Sequence, residues 1–498
     1  MNFTRASRLR RAAQALTAGL VWTAQAGAQL PGNGERIRTH DYAIDLAQTA
    51  VLAGTRATGL AGAYVALGEG IDGTARNPAA VALRAPYSYD HLDYDLGVGV
   101  TLSSALAGSD VFNSGRRTVV SQNGEEALVF VNLAGTLQLG RWGFAISTDI
   151  QEYSLDRSTA RTPNLQQDRL QARFAVTHGM IGYAFHQGEL LVGLGIRTTA
   201  LSVTNANAPQ GADESLFNSQ GQGFEAGILL RPNLSQYRIG VSLRSAVTAR
   251  ASPEARQLVY AGDPENELFL PKRVALPWEL DVGYALQIGP RPLNPRWLDP
   301  RQELEPLRRY FAWRERERER RRRAAALDPE PGRETAQRAL EAELSTEAAL
   351  DALELGRAEK ELHARLRARY EGMERFHLLI TGSLDILGPV EDAVGVESFL
   401  ERSVQRSGTR VTFSPRLGLE TEVIPNYTRF RAGAYIEPSR FPNNPHAERF
   451  HWTLGLDQRV LPWEVFGLWP EGSIWRVSGS LDMSRDYLSW GVALGMWH

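Results

Sequence analysis

The chain has 498 residues, 22% of them charged, no cysteine and a formal net charge of −2. This composition excludes a disulfide framework, a thiolate metal site and a lipid-bearing cysteine. It also lacks the basic excess of a nucleic-acid binder.

Residues 1–28 read as a secretory signal peptide. Arg5, Arg8, Arg10 and Arg11 precede the apolar stretch 12–23, and small residues at Ala24, Ala26 and Ala28 offer cleavage sites. Removing those four cations takes the net charge from −2 to −6. No later stretch is apolar for long enough to cross a bilayer as a helix, so an exported chain is left as a soluble protein or a membrane β-barrel.

Residues 29–85 contain the run GTRATGLAGAYVALGEGIDGTARNPAA at 54–80. Its glycines and alanines allow close backbone approach, and Pro78 forces a bend at Asn77. A compact, kinked segment of this kind suits a plug inside a larger structure.

From residue 86 the dominant period is two. Trp142, Phe144, Ile146 and Ile150 share one face of a strand, and Leu190, Val192, Leu194 and Ile196 share another. In 273–286, Val274, Leu276, Trp278, Leu280, Val282, Tyr284 and Leu286 oppose Arg273, Glu279, Asp281 and Gly283. A soluble sandwich also alternates. Strands this long, with Trp142, Tyr237, Trp490 and Trp497 near their ends, fit a barrel facing lipid outside and water inside. The strands expected are 87–106, 126–138, 142–153, 169–184, 188–204, 221–231, 236–249 and 272–288, followed by 374–387, 409–424, 427–438, 449–461, 472–484 and 487–497. Joints after even-numbered strands are mostly tight and those after odd ones mostly long. The tight side is the periplasm, where both chain termini are expected.

One joint breaks that rule. Residues 289–373 follow the eighth strand and read as charged helices, with RERERERRRR at 314–323, Leu340, Leu344, Leu362, Leu366 and Tyr370 at helical spacing, and a break at 328–332. Two readings fit: a solvated hairpin that lengthens a turn, or a dock for a periplasmic protein or peptidoglycan. A lesser one has Arg320–Arg323 meeting lipid phosphates.

The run at 54–80 resembles the N-terminal hatch of FadL-type outer-membrane channels and the related PorV-like barrels. The matching positions are Gly59, Gly62, Ala63, Ala66, Asp72, Asn77, Pro78 and Ala79. The resemblance implies an all-β transmembrane barrel of about 14 antiparallel strands, even-numbered as bacterial barrels are, with a lumenal hatch. It implies passive uptake of hydrophobic or amphipathic, fatty-acid-like molecules, gated by the hatch and leaving sideways through a gap in the wall. The PorV-like alternative is a scaffold that anchors a secretion, motility or envelope-spanning complex through the insert. Outer-membrane lipid is the expected surround. No catalytic constellation, metal cluster or cofactor motif stands out. Arg197 and Arg244, on lumen-facing strand positions, are candidates to meet the carboxylate of a ligand.

Overall fold

The computed structural model describes residues 30–85, 88, 90–103, 110–115, 128–156, 169–205, 215–251, 269–327, 333–444, 448–462 and 474–497. The expected signal peptide lies outside them.

The chain begins in a short strand β1 (Ala43–Asp45), then passes through α1 (Thr55–Gly59), α2 (Gly70–Thr74) and a 3₁₀ turn at Pro78–Ala82. The wall follows in two runs. The first comprises β2 (Leu92–Leu102), β3 (Leu128–Leu139), β4 (Trp142–Asp156), β5 (Arg169–Phe185), β6 (Leu190–Asn205), β7 (Ser215–Leu230) and β8 (Tyr237–Arg244). Strands β9 (Val247–Arg250) and β10 (Arg273–Leu276) leave the wall, and β11 (Glu279–Ile288) re-enters it. Helices α3 (Pro300–Leu327) and α4 (Arg333–Glu371) form the insert. Then come β12 (Leu378–Leu387), the short β13 (Ala393–Gly395), α5 (Val396–Leu400) and β14 (Arg406–Ser407). The wall is completed by β15 (Thr412–Ile424), β16 (Thr428–Pro438), β17 (Glu448–Pro462), β18 (Ile474–Ser484) and β19 (Tyr487–Met496).

Fourteen strands close in the order β11-β12-β15-β16-β17-β18-β19-β2-β3-β4-β5-β6-β7-β8, every pair antiparallel. The outward phase is a continuous exposed apolar belt that includes Leu137, Phe144, Leu194, Ile239, Tyr284, Leu417, Leu454 and Val492. The inward phase is polar and buried, as at Asp95, His178, Glu225, Asp385, Arg431 and Asp482. Oil outside and charge inside is the pattern of a membrane barrel.

Two expected strands each split. The span 236–249 leaves the wall after Arg244, and 272–288 joins it only at Glu279. Their outer pieces, β9 and β10, belong to a second sheet, β14-β13-β1-β10-β9. The alternation of Val274 and Leu276 therefore faces a protein core rather than lipid: Val274 is buried with Leu216, Phe217, Val394 and Phe399. Pro277, which cannot donate to a ladder, marks the break.

This second sheet and its core form a cap at the end of the barrel opposite the insert. Leu30 lies in the cap, where its carbonyl accepts from Arg406 Nη2 at 3.0 Å. At the insert end, Trp497 Nε1 donates to Asn426 Oδ1 at 3.3 Å. Strand β1 is the central cap strand, paired in parallel with both β10 and β13. Trp497 departs from the expected aromatic girdle. One residue out of phase with the belt, it is buried, with the Arg429 guanidinium 4.3 Å from its ring.

Helices α3 and α4 form an antiparallel hairpin, about 42 and 58 Å long at 1.5 Å per residue. Its apolar seam is short. Leu304, Leu362 and Leu366 pack near the root, and Leu344 is buried farther out. Between them the helices are zipped by ion pairs: Arg308–Glu359 at 2.8 Å, Arg318–Asp351 at 2.5 Å and Arg321–Glu343 at 2.7 Å.

The hairpin root does more than lengthen a turn. It leaves from β11, yet Asp299 meets His91, next to β2, at 3.2 Å. Strand β2 lies halfway round the closed order from β11. Residues 289–299 therefore run across the barrel mouth. Arg238 and Arg231 hold the crossing by donating to the carbonyls of Leu293 at 2.7 Å and Pro295 at 2.9 Å. The Arg84 guanidinium lies 4.5 Å from the Trp297 ring.

Candidate functional site

The segment 30–85 enters the lumen from the cap and descends to the insert end; it is largely exposed up to Asp41 and buried almost throughout from Tyr42 onward. Its small residues have a defined use. A Cβ added to Gly59 would lie 2.9 Å from Gly455 Cα in β17, so two backbones meet there without side chains between them. Gly62 has φ +74°, a conformation that glycine adopts without strain. Ala63 offers its carbonyl to Thr381 Oγ1 at 2.5 Å.

Asn77 caps the 3₁₀ turn, its Oδ1 accepting from Ala79 N at 3.0 Å. Its Nδ2 donates to Val65 O at 2.8 Å and to Ile228 O of β7 at 3.2 Å, tying the bend both to the hatch and to the wall. Pro78 follows at the first position of the turn, where its missing N–H costs nothing. The Pro78 carbonyl presses so close to β6 that a Cβ on Gly193 would meet it at 2.1 Å. Ala66 and Ala79 are both buried, Ala66 in the cluster around Leu60, Tyr64 and Leu67 and Ala79 in the one around Leu83, Leu191 and Leu229.

The hatch is locked to the wall by a chain of alternating charges. Arg238 meets Glu69 at 3.0 Å, Glu69 meets Arg56 at 3.0 Å, and Arg56 meets Glu420 at 2.7 Å. Glu420 continues to Arg431 at 2.5 Å and Arg431 to Asp457 at 2.5 Å. Arg476 then bridges Asp457 at 3.1 Å and Asp72 at 3.3 Å. Four arginines and four carboxylates alternate, with Arg56, Glu69 and Asp72 supplied by the hatch. Buried charges persist only when paired and hydrogen-bonded, as these are. Sequence reading found Asp72 but missed its partners. Their only signal was that Glu420, Arg431, Asp457 and Arg476 fall on the inward phase of their strands.

Arg197 and Arg244 are also buried and engaged. Arg244 meets Glu279 at 2.9 Å and Asp281 at 3.0 Å, and it donates to Ala75 O of the hatch at 2.7 Å. Arg197 donates to Ser245 O at 2.6 Å and Pro277 O at 2.9 Å. Those two carbonyls stand where the chain leaves the wall after β8 and returns to it before β11, so Arg197 ties both departures together.

That departure leaves a breach. Strand β7 pairs with β8 only from Glu225 to Leu230. Phe224, 74% exposed, is closed off by Ser245 through two 2.8 Å hydrogen bonds, and Ser215–Gly223 has no ladder partner on that side. Strand β9 lies against this edge from within, and a Cβ on Gly221 or Gly223 would meet Val247 at 2.7 Å. Behind β9 and β10 stands the apolar cap core around Phe217 and Phe399. The outward residues of the edge, Asn218, Gln220 and Gln222, are polar and exposed. The breach therefore opens at the rim of the lipid-facing belt.

In the cap, Glu397 accepts from Tyr153 Oη at 3.0 Å and from Ser114 Oγ at 3.1 Å, and Ser114 also reaches Asp110 at 3.3 Å. Burial, with the Asp110 carboxylate nearby, pushes Glu397 up to about 8. Burial raises Asp110 as well.

No family model and no curated protein matches the chain. Among solved structures it is similar to a Pseudomonas aeruginosa FadL homologue at 12% identity, over 90% of this chain and 98% of that one, with a TM-score of 0.45. It is similar to the Pseudomonas putida toluene transporter TodX at 10% identity, over 92% and 99% of the two chains, with a TM-score of 0.45. For the CymD monoaromatic hydrocarbon channel the figures are 10% identity, 90% and 97% coverage, and a TM-score of 0.44.

Proposed function

We propose that this chain is an outer-membrane channel for hydrophobic or amphipathic small molecules, closed by its hatch in the state described. The observation that carries the reading is the breach beside β7, backed by an apolar cap core. A hydrophobe can move from such a core into lipid without crossing the charged lumen. The hatch motif and its resemblance to FadL-type channels support the same reading, with the cap facing outward and the insert in the periplasm. Gating then requires β9 to move off β7 and the hatch to shift against its ion-pair chain.

Gly221→Val tests the lateral route. Its side chain would collide with Val247 and Ala249, for which a bare Cβ already stands at 2.7 and 3.1 Å. Uptake of a hydrophobic fluorescent probe into proteoliposomes should rise several-fold. Unchanged uptake, with hydrogen exchange showing β9 loosened, would remove the breach from the route.

A scaffold role has its own support. Tyr310 and Trp313 are stacked at 6.2 Å and half exposed, and Leu350 and Leu353 are exposed at the matching height of the antiparallel hairpin. Exposed aromatic and leucine side chains on a charged hairpin suit a protein partner. Replacing 305–361 by a short flexible linker keeps the root that crosses the mouth. Lost co-purification of a periplasmic protein with intact probe uptake would assign the hairpin to docking. Unchanged co-purification would rule that role out.

A further inference from the structure

We infer that His451 is a proton-operated latch on the hatch: while its ring carries both protons it pins residues 49–51 to the wall, and loss of one proton frees them. The ring stands at the cap end of β17 and is wholly buried, as are the side chains of its two partners. Its Nε2 lies 2.7 Å from Glu437 Oε2 of β16, and its Nδ1 lies 2.7 Å from Asp482 Oδ1 of β18.

Both carboxylates accept from other donors as well. Glu437 Oε1 accepts from Thr49 Oγ1 at 2.7 Å, and its Oε2 also accepts from Arg449 Nε at 2.8 Å. Asp482 Oδ2 accepts from Tyr435 Oη at 2.7 Å, and that hydroxyl oxygen in turn accepts from Val51 N at 3.2 Å. The arrangement satisfies ionised carboxylates, which only accept. Each ring nitrogen then has to donate, and a ring that donates twice is an imidazolium.

Charge balance makes the proton decisive. The groups facing the ring are Glu437 and Tyr435 on β16, Arg449 on β17, Asp482 on β18 and Tyr487 on β19. Beyond them, Arg449 Nη1 donates to the carbonyl of Asp110, whose carboxylate is taken by the N–H groups of Ser114 and Gly115. Arg416, near the Tyr435 ring, is paired with Asp385 at 2.8 Å. His451 and Arg449 therefore balance Glu437 and Asp482, two cations against two anions. Removing the ring proton leaves one buried anion uncompensated and one carboxylate without its donor, which a buried site does not hold.

The hydrogen bonds to Thr49 and Val51 hang on those same two carboxylates. Both residues lie between β1, held in the cap, and α1, held by the charge chain through Arg56. Release there uncouples the cap from the plug. That such release opens a transport route rests on the channel reading above; the latch itself does not.

The test uses the full-length protein in nanodiscs and follows one signal and one rate. The nitrogen resonances of His451 in isotope-labelled protein, assigned by their loss in His451→Gln or their shift in Asp482→Asn, should show both nitrogens protonated at about pH 6. Hydrogen exchange of residues 46–53, corrected for the intrinsic chemical rate, should accelerate about ten-fold across the pH at which the ring loses a proton. His451→Gln should exchange at the fast rate at every pH. Asp482→Asn restores the balance with a neutral ring and should stay slow at every pH; combined with His451→Gln, it should recover slow exchange. That rescue separates charge from shape. A ring with one bare nitrogen at about pH 6 would overturn the inference, as would a ring that keeps both protons up to about pH 10. So would exchange that ignores the ring's transition, a result the wild type alone can give. Probe uptake by the wild type across the same step judges the channel reading separately.

Discussion

Arg431→Ala is expected to destabilise the barrel by about 3 kcal/mol, because it takes one of two arginine partners from each of two buried carboxylates, leaving Glu420 to Arg56 and Asp457 to Arg476. Arg431 is fully buried and joins Glu420 to Asp457 through bonds of 2.5 to 2.7 Å. Removing it interrupts the charge chain between the part that holds α1 through Arg56 and the part that holds Asp72 through Arg476. Chemical unfolding in detergent, read by the mobility of the folded barrel on unheated gels, measures the loss. Hydrogen exchange over 54–80 should rise in parallel. The double variant Arg431→Ala with Glu420→Ala measures the coupling of the two side chains, and its loss should fall short of the sum of the single losses. A single-variant loss below about 1 kcal/mol would show that the chain does not hold the hatch, being the size of an exposed pair.

The second large effect is a pH dependence confined to the cap. Glu397 is raised to about 8 by burial and by Asp110, so the folded cap binds a proton that the unfolded segment releases near its ordinary value of 4.5. The sign follows from linkage: the stabilisation is complete below about pH 4.5 and is lost as pH rises through about 8, by up to about 5 kcal/mol. Hydrogen exchange of residues 396–404 should therefore accelerate from pH 5 to pH 8.5 beyond the intrinsic chemical rate. Glu397→Gln keeps the shape without the charge and should flatten that dependence, leaving the cap more protected than the wild type at pH 8.5. An unaltered slope in the variant would show that other groups set it.

Most of the wall was readable because lipid and lumen impose one rule on every strand. The expected fourteen segments each overlap one wall strand, although β7 starts at Ser215 rather than 221, and the insert forms two helices, Pro300–Leu327 and Arg333–Glu371. What escaped was whatever depends on partners distant in sequence. Val274 and Leu276 continue the alternation of β11 without interruption, so period alone could not show that they leave the wall, and only Pro277 signalled it. Residues 43–45 are too few to display any period, which hid the cap strand. The inward phase of Glu420 was visible, but its pairing with Arg56, 364 positions away, required a closed barrel.

The position of β1 bears on how the molecule is made. Ala43–Asp45 is synthesised first, yet its neighbours in the cap sheet are Arg273–Ala275 and Ala393–Gly395. The N-terminal segment must therefore wait, unpaired, until more than half of the chain has been produced, and its second partner comes only at four-fifths. The wall closes between β19 and β2 by only the six pairs from Trp490–Leu102 to Gly495–Gly97. A plug buried on all sides cannot be inserted after that seam is shut, so it has to be threaded while the cylinder is still an open sheet. Such high contact order makes folding slow. The rate of insertion should then depend on the earliest-made residues as strongly as on the last strand.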